Sequence, residues 1–166
     1  MNKKPDTFIV KIAKKYHRIL KFGIVGVSGI PINLFFVWVG KVMLFTWCSQ
    51  VWSDTFSYLL GIIVSIFTNF LLNYWWTWKD RPGKTGLRNF FRKMGMFYVV
   101  SAAAAIVQYL VTIIASAILK AYPSMTVVLT GNYRVYNLVA PPIGIVIAFG
   151  INYVANNRWT FKADEK

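Results

Sequence analysis

The chain has 166 residues, of which 57% are hydrophobic and only 14% are charged. Its 19 Lys and Arg outnumber 5 Asp and Glu, so the formal net charge is +14. This hydrophobic composition excludes a nucleic-acid-binding protein and a disordered basic tail. It indicates a membrane protein whose few charges are mostly positive. A single Cys and a single His exclude an intrachain disulfide and a Cys/His metal cluster.

The first predicted element is a basic cytoplasmic N-terminal segment, residues 1–20. Between Asp6 and Leu20, apolar residues recur on one helical face and Lys and Arg recur on the other. This pattern predicts an amphipathic helix that lies on an anionic lipid surface. A basic tail that only sets the topology explains the same charges, and the pattern does not decide between the two.

Four apolar stretches follow, each long enough for a bilayer, which takes about 20 residues to cross. We therefore expect an all-α integral membrane protein with four transmembrane helices, in one domain over residues 21–166. The predicted spans cover about 22–45, 56–78, 94–119 and 136–159.

Lys and Arg are distributed unequally between the two sides of these spans. Most of them lie in the N-terminal segment, in the loop between the second and third spans, and at the C-terminal end. The other side holds Lys41, Lys120 and Arg134. Because Lys and Arg accumulate in cytoplasmic loops, both termini are predicted to be cytoplasmic, in a plasma or inner membrane.

The ends of the second and fourth spans repeat each other at an offset of 83 residues, which is the separation of Asn69 and Asn152. Both read Asn, three residues, Asn, two residues, and then Trp-Thr-aromatic-Lys. The first and third spans match more weakly, with Phe22 opposite Phe97. We predict two helical hairpins in tandem, related by a pseudo-twofold axis along the membrane normal.

The asparagines and tryptophans of this repeat are candidate substrate-binding residues. On each helix they are spaced i, i+4, i+7 and share one face. Amides are costly in hydrocarbon, so they should face other helices or a wet cavity. Interhelical hydrogen bonds remain an alternative to ligand binding, most of all for the two deeper asparagines. The candidates are Asn69, Asn73, Trp76, Asn152, Asn156 and Trp159.

Cations at the same predicted depth complete the candidate site. Amides combined with Lys and Arg suit a phosphate and the hydroxyls of a sugar. The chain shows no motif that supplies a catalytic base or a metal site, so we expect a protein that is not an enzyme and needs no cofactor. The cations are Lys21, Arg92, Lys93 and Arg158.

Acidic residues are absent from the four predicted spans. Without an intramembrane carboxylate there is no predicted coupling to protons or sodium, so transport would be downhill and a small ion channel or carrier is disfavoured. Asp54 falls in the predicted outer loop and is interpreted as a solvated residue or a helix cap. A flat conductance record would exclude the channel.

Small residues at regular spacing and several prolines lie within the predicted spans. Gly61 and Gly144 stand in small-xxx-small sequences, which allow close helix approach within the chain or between copies. We therefore expect self-association, with a homodimer as the first expectation. Pro31 and Pro141-Pro142 predict kinks or interruptions in their spans.

The four-span layout, the Phe-Gly-x-x-Gly start at Phe22, Asn33 and the doubled Asn-x-x-Trp-Thr-aromatic endings resemble the GtrA-like family. The resemblance covers nearly the whole chain. It implies the handling of polyprenyl-phosphate-linked sugars, which such proteins are proposed to flip across the membrane for cell-surface polysaccharide glycosylation. The family is also similar to the membrane domain of some dolichol-phosphate mannose synthases. The alternative is a non-transporting anchor or activator of a membrane glycosyltransferase.

The resemblance places Asn73 and Asn156 at the helix-end asparagines of the family. The family often has Arg directly after that Asn, whereas here the next residues are Tyr74 and Asn157. Only the second half has an arginine one residue later, Arg158. The two halves are therefore expected not to be equivalent.

Overall fold

The computed structural model describes the backbone of residues 8–81 and 86–162 and, in the first range, the side chains from residue 16 onward. It is mostly helical, and two short antiparallel strands lie between the third and fourth long helices. The helices are α1 (Phe8–Val39), α2 (Gln50–Leu72), α3 (Leu87–Leu119) and α4 (Val135–Ala155), with a 3-10 turn at Pro123–Met125 and strands β1 (Val128–Thr130) and β2 (Tyr133–Arg134).

Helices α1, α2 and α4 each continue into a five-residue π-helical turn. These turns are Gly40–Leu44, Asn73–Thr77 and Asn156–Thr160. The residue after each turn donates its backbone N–H to the carbonyl of the first residue of the turn, at 2.8–3.0 Å. Turns of this kind are rare and occur frequently at functional sites, and the apolar pattern of the sequence does not predict them.

All four helices are long and apolar enough to cross a membrane. At most 22% of the residues in the most apolar window of each helix are buried inside the protein, so the outward apolar faces require lipid. The chain is a multi-pass membrane protein, as predicted. The spanning segments are Tyr16–Leu44, Gln50–Thr77, Leu87–Leu119 and Val135–Thr160.

A separate amphipathic helix at the N-terminus is not confirmed. Helix α1 runs without a break from Phe8 to Val39, so the end of the predicted segment is the first part of a long helix. The start of that segment, residues 1–7, lies outside the described residues. The predicted interruptions at proline are also not observed, because α1 continues through Pro31 and α4 continues through Pro141-Pro142.

The chain divides into two compact units. Unit 1 comprises Met1–Gly86 and Ala163–Lys166, and unit 2 comprises Leu87–Lys162. In unit 1, α1 packs along α2 and also contacts the π turn that follows α2. In unit 2, α3 packs along α4 and contacts the π turn that follows α4. Each unit is therefore a helix pair with a π turn held against one end.

Glycine allows the two helices of each unit to approach backbone to backbone. A Cβ atom added at Gly61 would lie 2.8 Å from the backbone oxygen of Asn33. A Cβ atom added at Gly144 would lie 2.7 Å from the backbone oxygen of Gln108. Both distances are too short for any larger residue, so these two glycines set the spacing of the helices.

Asp54 differs from its prediction. Helix α2 begins at Gln50, well before the predicted start at residue 56, so Asp54 belongs to the helix and not to a loop. The carboxylate forms an ion pair with Lys41 at 2.8 Å and accepts a hydrogen bond from the Gln50 amide at 3.1 Å. The ion pair joins the start of α2 to the π turn that follows α1, because Lys41 lies in Gly40–Leu44.

Candidate functional site

The basic end of unit 1 consists of residues 17–22 in α1 and residues 73–80 around the π turn. An ion pair, a cation–π contact and an aromatic contact join these segments. Arg18 donates to Asp80 at 2.6 Å. The Lys21 ammonium lies 5.3 Å from the centroid of the Trp76 ring. Phe22 packs edge-on against Trp78 with ring centroids 5.6 Å apart, so the π turn is fixed against α1.

A cavity of about 100 Å³ lies at the basic end of unit 1. One buried water needs only about 10–15 Å³ of comparable volume, so the cavity has room for a small polyatomic group. Three of its lining side chains carry a permanent positive charge and one is a carboxylate. The lining consists of His17, Arg18, Lys21, Trp76, Thr77, Lys79 and Asp80.

The π turn of unit 1 buries two polar side chains whose oxygens have no partner among the described residues. Asn73 is 1% exposed and Thr77 is 3% exposed. Within the described part of the chain, neither Asn73 Oδ1 nor Thr77 Oγ1 has a hydrogen-bond partner, and the same holds for Arg18 Nε. A buried polar group without a partner costs about 1–3 kcal/mol, so these atoms suit a ligand or an ordered water.

Asn69, one turn deeper in α2, packs against the backbone of α1. A Cβ atom added at Gly29 would lie 2.6 Å from Asn69 Nδ2, which shows how closely the amide covers that glycine. The contact is of the kind expected for helix packing. It favours the structural alternative for Asn69, although its Oδ1 also has no partner among the described residues.

The basic end of unit 2 consists of residues 92–97 in α3 and residues 156–162 around its π turn. Asn156 and Thr160 are buried, and their Oδ1 and Oγ1 atoms have no partner in the described chain. The amide nitrogen of Asn156 donates to Asn152 Oδ1 at 2.7 Å and to the Asn152 carbonyl at 3.0 Å. Phe97 packs edge-on against Phe161 at 6.2 Å, so this π turn is also fixed by an aromatic pair.

The cations of unit 2 differ in their exposure. Lys93 is buried, with 6% of its surface exposed. Arg92 is exposed and donates to Asn89 Oδ1 at 3.0 Å. Arg158 is exposed at one end of a shallow apolar groove along α4, and the neighbouring Trp159 is 54% exposed. Unit 2 therefore directs a cation and an aromatic ring outward at the level where α4 ends.

The structure groups some of the predicted site residues and adds others. Lys21 and Trp76 share the cavity of unit 1, and Asn152 is bonded to Asn156 in unit 2. The prediction that cations from both halves hold one phosphate stays a prediction. The i, i+3 spacing of the lysine and arginine in α1 places them on one helical face and could have indicated the cavity. The added residues are His17, Arg18, Thr77 and Lys79.

Comparison with known proteins agrees with this architecture. The family model of the GtrA/DPMS transmembrane domain matches residues 21–137. The chain belongs to this family. The match includes the basic end of unit 1 from Lys21 onward and stops before Asn152, so the second copy of the Asn-x-x-Trp-Thr motif lies beyond it. The predicted GtrA-like resemblance is confirmed.

A longer relative is found in Pyrococcus furiosus. It is named dolichol-phosphate mannosyltransferase and is 29% identical to this chain over 154 residues. The aligned region covers 92% of this chain and 36% of the relative. The chain therefore spans about a third of the length of that protein.

Proposed function

We propose that this GtrA/DPMS-family protein binds a polyprenyl-phosphate-linked monosaccharide and flips it across the membrane for cell-surface polysaccharide glycosylation. The family match and the relative named for dolichol phosphate support a role in the handling of polyprenyl-phosphate sugars. The direction of transport and the role as a carrier that is not an enzyme are parts of the proposal.

The observation that carries the proposal is the pair of polar π turns. Each turn buries an Asn and a Thr whose side-chain oxygens have no partner among the described residues. Sugar hydroxyls both donate and accept, so they can satisfy such oxygens. Polar groups within a spanning helix also lower the cost of bringing a polar headgroup into the hydrocarbon.

The lipid-linked substrate would bind with its headgroup at the basic ends and its polyprenyl chain in the surrounding lipid. Both termini would face the cytoplasm, so the headgroup would be taken from the cytoplasmic leaflet of a plasma or inner membrane. The twofold symmetry of the repeat and a homodimer belong to the same proposal. Cross-linking in native membranes would test the dimer.

Transport can be measured with the full chain in liposomes that contain a fluorescent polyprenyl-phosphate sugar. An external quencher removes the fluorescence of the outer leaflet at once, and the further loss reports the lipid that has crossed from the inner leaflet. We expect faster crossing than in empty vesicles, and about tenfold slower crossing for the double variant Asn73→Ala/Asn156→Ala, which equals about 1.4 kcal/mol of lost binding. Asn132→Ala, in the exposed turn between β1 and β2, is the matched control. No crossing above empty vesicles with folded protein contradicts the proposal.

The second candidate function is a membrane anchor or activator of a separate polyprenyl-phosphate glycosyltransferase. It is favoured by the length comparison, because the relative named as a mannosyltransferase has most of its chain outside the region shared with this protein. Co-purification of a transferase with the tagged full chain, and loss of its activity on deletion of the chain, would support this function. Unchanged transferase activity in the deletion strain would count against it.

A further inference from the structure

We infer that the cavity at the basic end of unit 1 is a phosphate-binding site. The inference deepens the proposed function and rests on it, because it names the part of unit 1 that holds the charged group of the substrate. The site includes Arg18, which no sequence motif marks, together with Thr77 and Lys79 of the repeated Trp-Thr-aromatic-Lys ending.

The charge of the lining favours an anion. Asp80 offsets the charge of Arg18 through their 2.6 Å contact. Among the described residues, no carboxylate lies within ion-pair distance of Lys21 or Lys79. The ammonium of Lys21 is held over the Trp76 ring, which positions the charge without neutralising it. The cavity therefore keeps an excess of positive charge that a phosphate would balance.

The lining also holds donors that are not used inside the protein. Thr77 lines the cavity, is 3% exposed and has no partner for its hydroxyl oxygen within the described chain. The Nε atom of Arg18 is buried and equally without a partner there. A guanidinium, an ammonium and a hydroxyl around one small volume match the several oxygens of a tetrahedral phosphate.

The depth of the cavity suits a phosphate that is attached to a lipid. Its lining comes from the first residues of the span Tyr16–Leu44, from the last residues of the span Gln50–Thr77, and from Lys79 and Asp80 just beyond that span. Lipid phosphates lie at this boundary between the headgroups and the hydrocarbon core. A water-soluble phosphate could enter the same cavity, so the shared chemistry is the phosphate group and the source is decided by experiment.

Binding can be measured by calorimetry on the full chain in nanodiscs of neutral lipid, with farnesyl phosphate and inorganic phosphate as separate probes. We expect saturable binding of farnesyl phosphate and about tenfold weaker binding for Lys21→Gln. Lys120→Gln is the matched control, because the Lys120 ammonium lies over the Tyr136 ring at 5.0 Å in unit 2. That control should bind like the wild type.

Thr77→Val tests the unused hydroxyl without changing the shape of the side chain. We expect weaker binding of farnesyl phosphate and an unchanged melting temperature, since the hydroxyl has no partner to lose among the described residues. Thr55→Val, which removes an exposed hydroxyl bonded to the Val51 carbonyl, should leave binding unchanged. If Lys21→Gln and Thr77→Val both bind like the wild type, the inference is wrong.

The two probes and the transport assay separate the possible outcomes. Binding of farnesyl phosphate without binding of inorganic phosphate supports the site with a lipid as the source, and equal binding of both supports it with a soluble phosphate as the source. Binding of neither overturns the inference. Phosphate binding without lipid crossing would contradict the proposed transport and support the phosphate site. Lipid crossing combined with wild-type binding in both Lys21→Gln and Thr77→Val would support the proposed transport and overturn the phosphate site.

Discussion

The two basic ends contain the same structural parts and differ in their charged side chains. Each has a π turn that begins with a buried Asn, an edge-on aromatic pair and a buried Thr. In unit 1 the cations Arg18 and Lys21 line a cavity. In unit 2 Lys93 is buried and Arg158 points outward along an apolar groove. Packing residues thus occur in both units, and the residues that could bind an anion differ.

The difference indicates which residues form the scaffold and which bind ligand. A scaffold residue should have the same effect on stability in either unit, because the same contact is present in both. A residue of the phosphate cavity should affect phosphate affinity, and its counterpart in unit 2 should not. Matched variants in the two units therefore test the division directly.

The largest effect is expected for the aromatic pairs. Phe22→Ala and Phe97→Ala each remove a ring that is less than 5% exposed, and each should lower the free energy of unfolding by about 3–5 kcal/mol. Chemical unfolding in detergent measures it. Ile24→Ala and Val99→Ala, both 58% exposed, are the controls and should change little. A large loss in only one unit would contradict a shared scaffold.

A smaller loss of stability is expected at the close-approach glycines. Gly61→Ala and Gly144→Ala should each lower the free energy of unfolding by about 1–3 kcal/mol, because the new methyl group meets the backbone of the neighbouring helix. Gly26→Ala and Gly150→Ala meet nothing within 4 Å and should be neutral or slightly stabilising. Thermal melting of the four variants decides between these outcomes. Equal melting temperatures would show that the two helices of each unit are not closely packed at Gly61 and Gly144.

The helix-end asparagines should separate the two units. Asn156→Ala loses two hydrogen bonds to Asn152 and should lower stability by about 1–2 kcal/mol. Asn73→Ala should lower stability less, because the two hydrogen bonds from the Asn156 amide nitrogen to Asn152 belong to unit 2. Both should slow lipid crossing. If Asn73→Ala is less stable than Asn156→Ala, the expected difference between the two units is wrong.

The smallest effect concerns the ion pairs at the two ends of unit 1. Asp80→Asn frees Arg18 beside the cavity and should tighten the binding of farnesyl phosphate by about threefold, the size of a partly exposed pair. Asp54→Asn frees Lys41, whose ammonium pairs with the Asp54 carboxylate at 2.8 Å, and should not change binding. Equal tightening in both variants would point to net charge and not to the cavity.

Much of the architecture could be predicted because the apolar stretches are long. Four runs with few charges predict four spanning helices, and the structure has them. Helix starts were less accurate: α2 begins before the predicted residue 56 and includes Asp54, because an apolar pattern does not mark where a polar first turn begins. The strands between Val128 and Arg134 were missed because two strands of two or three residues leave no periodic signal.

The candidate site could be predicted only in part. The repeated motif identified Asn73, Asn156 and the tryptophans, because polar residues in an apolar helix stand out. Arg18 could not be distinguished from the other cations of a basic membrane protein, whose positions are explained by topology alone, and Lys79 stood out only as the last residue of the repeated motif. Their role depends on their distance from Thr77 and Asp80, which the linear order of residues does not contain.

The sequence by itself determined the class of protein, the number of spans and the family, because hydrophobicity, charge distribution and the repeated motif are properties of the linear chain. Only the tertiary structure decided that Asn69 covers Gly29, that Asp54 pairs with Lys41, and that cationic side chains of unit 1 line a common cavity. These features depend on distances of a few ångströms between residues far apart in the chain. Such distances are set by how each helix pair packs.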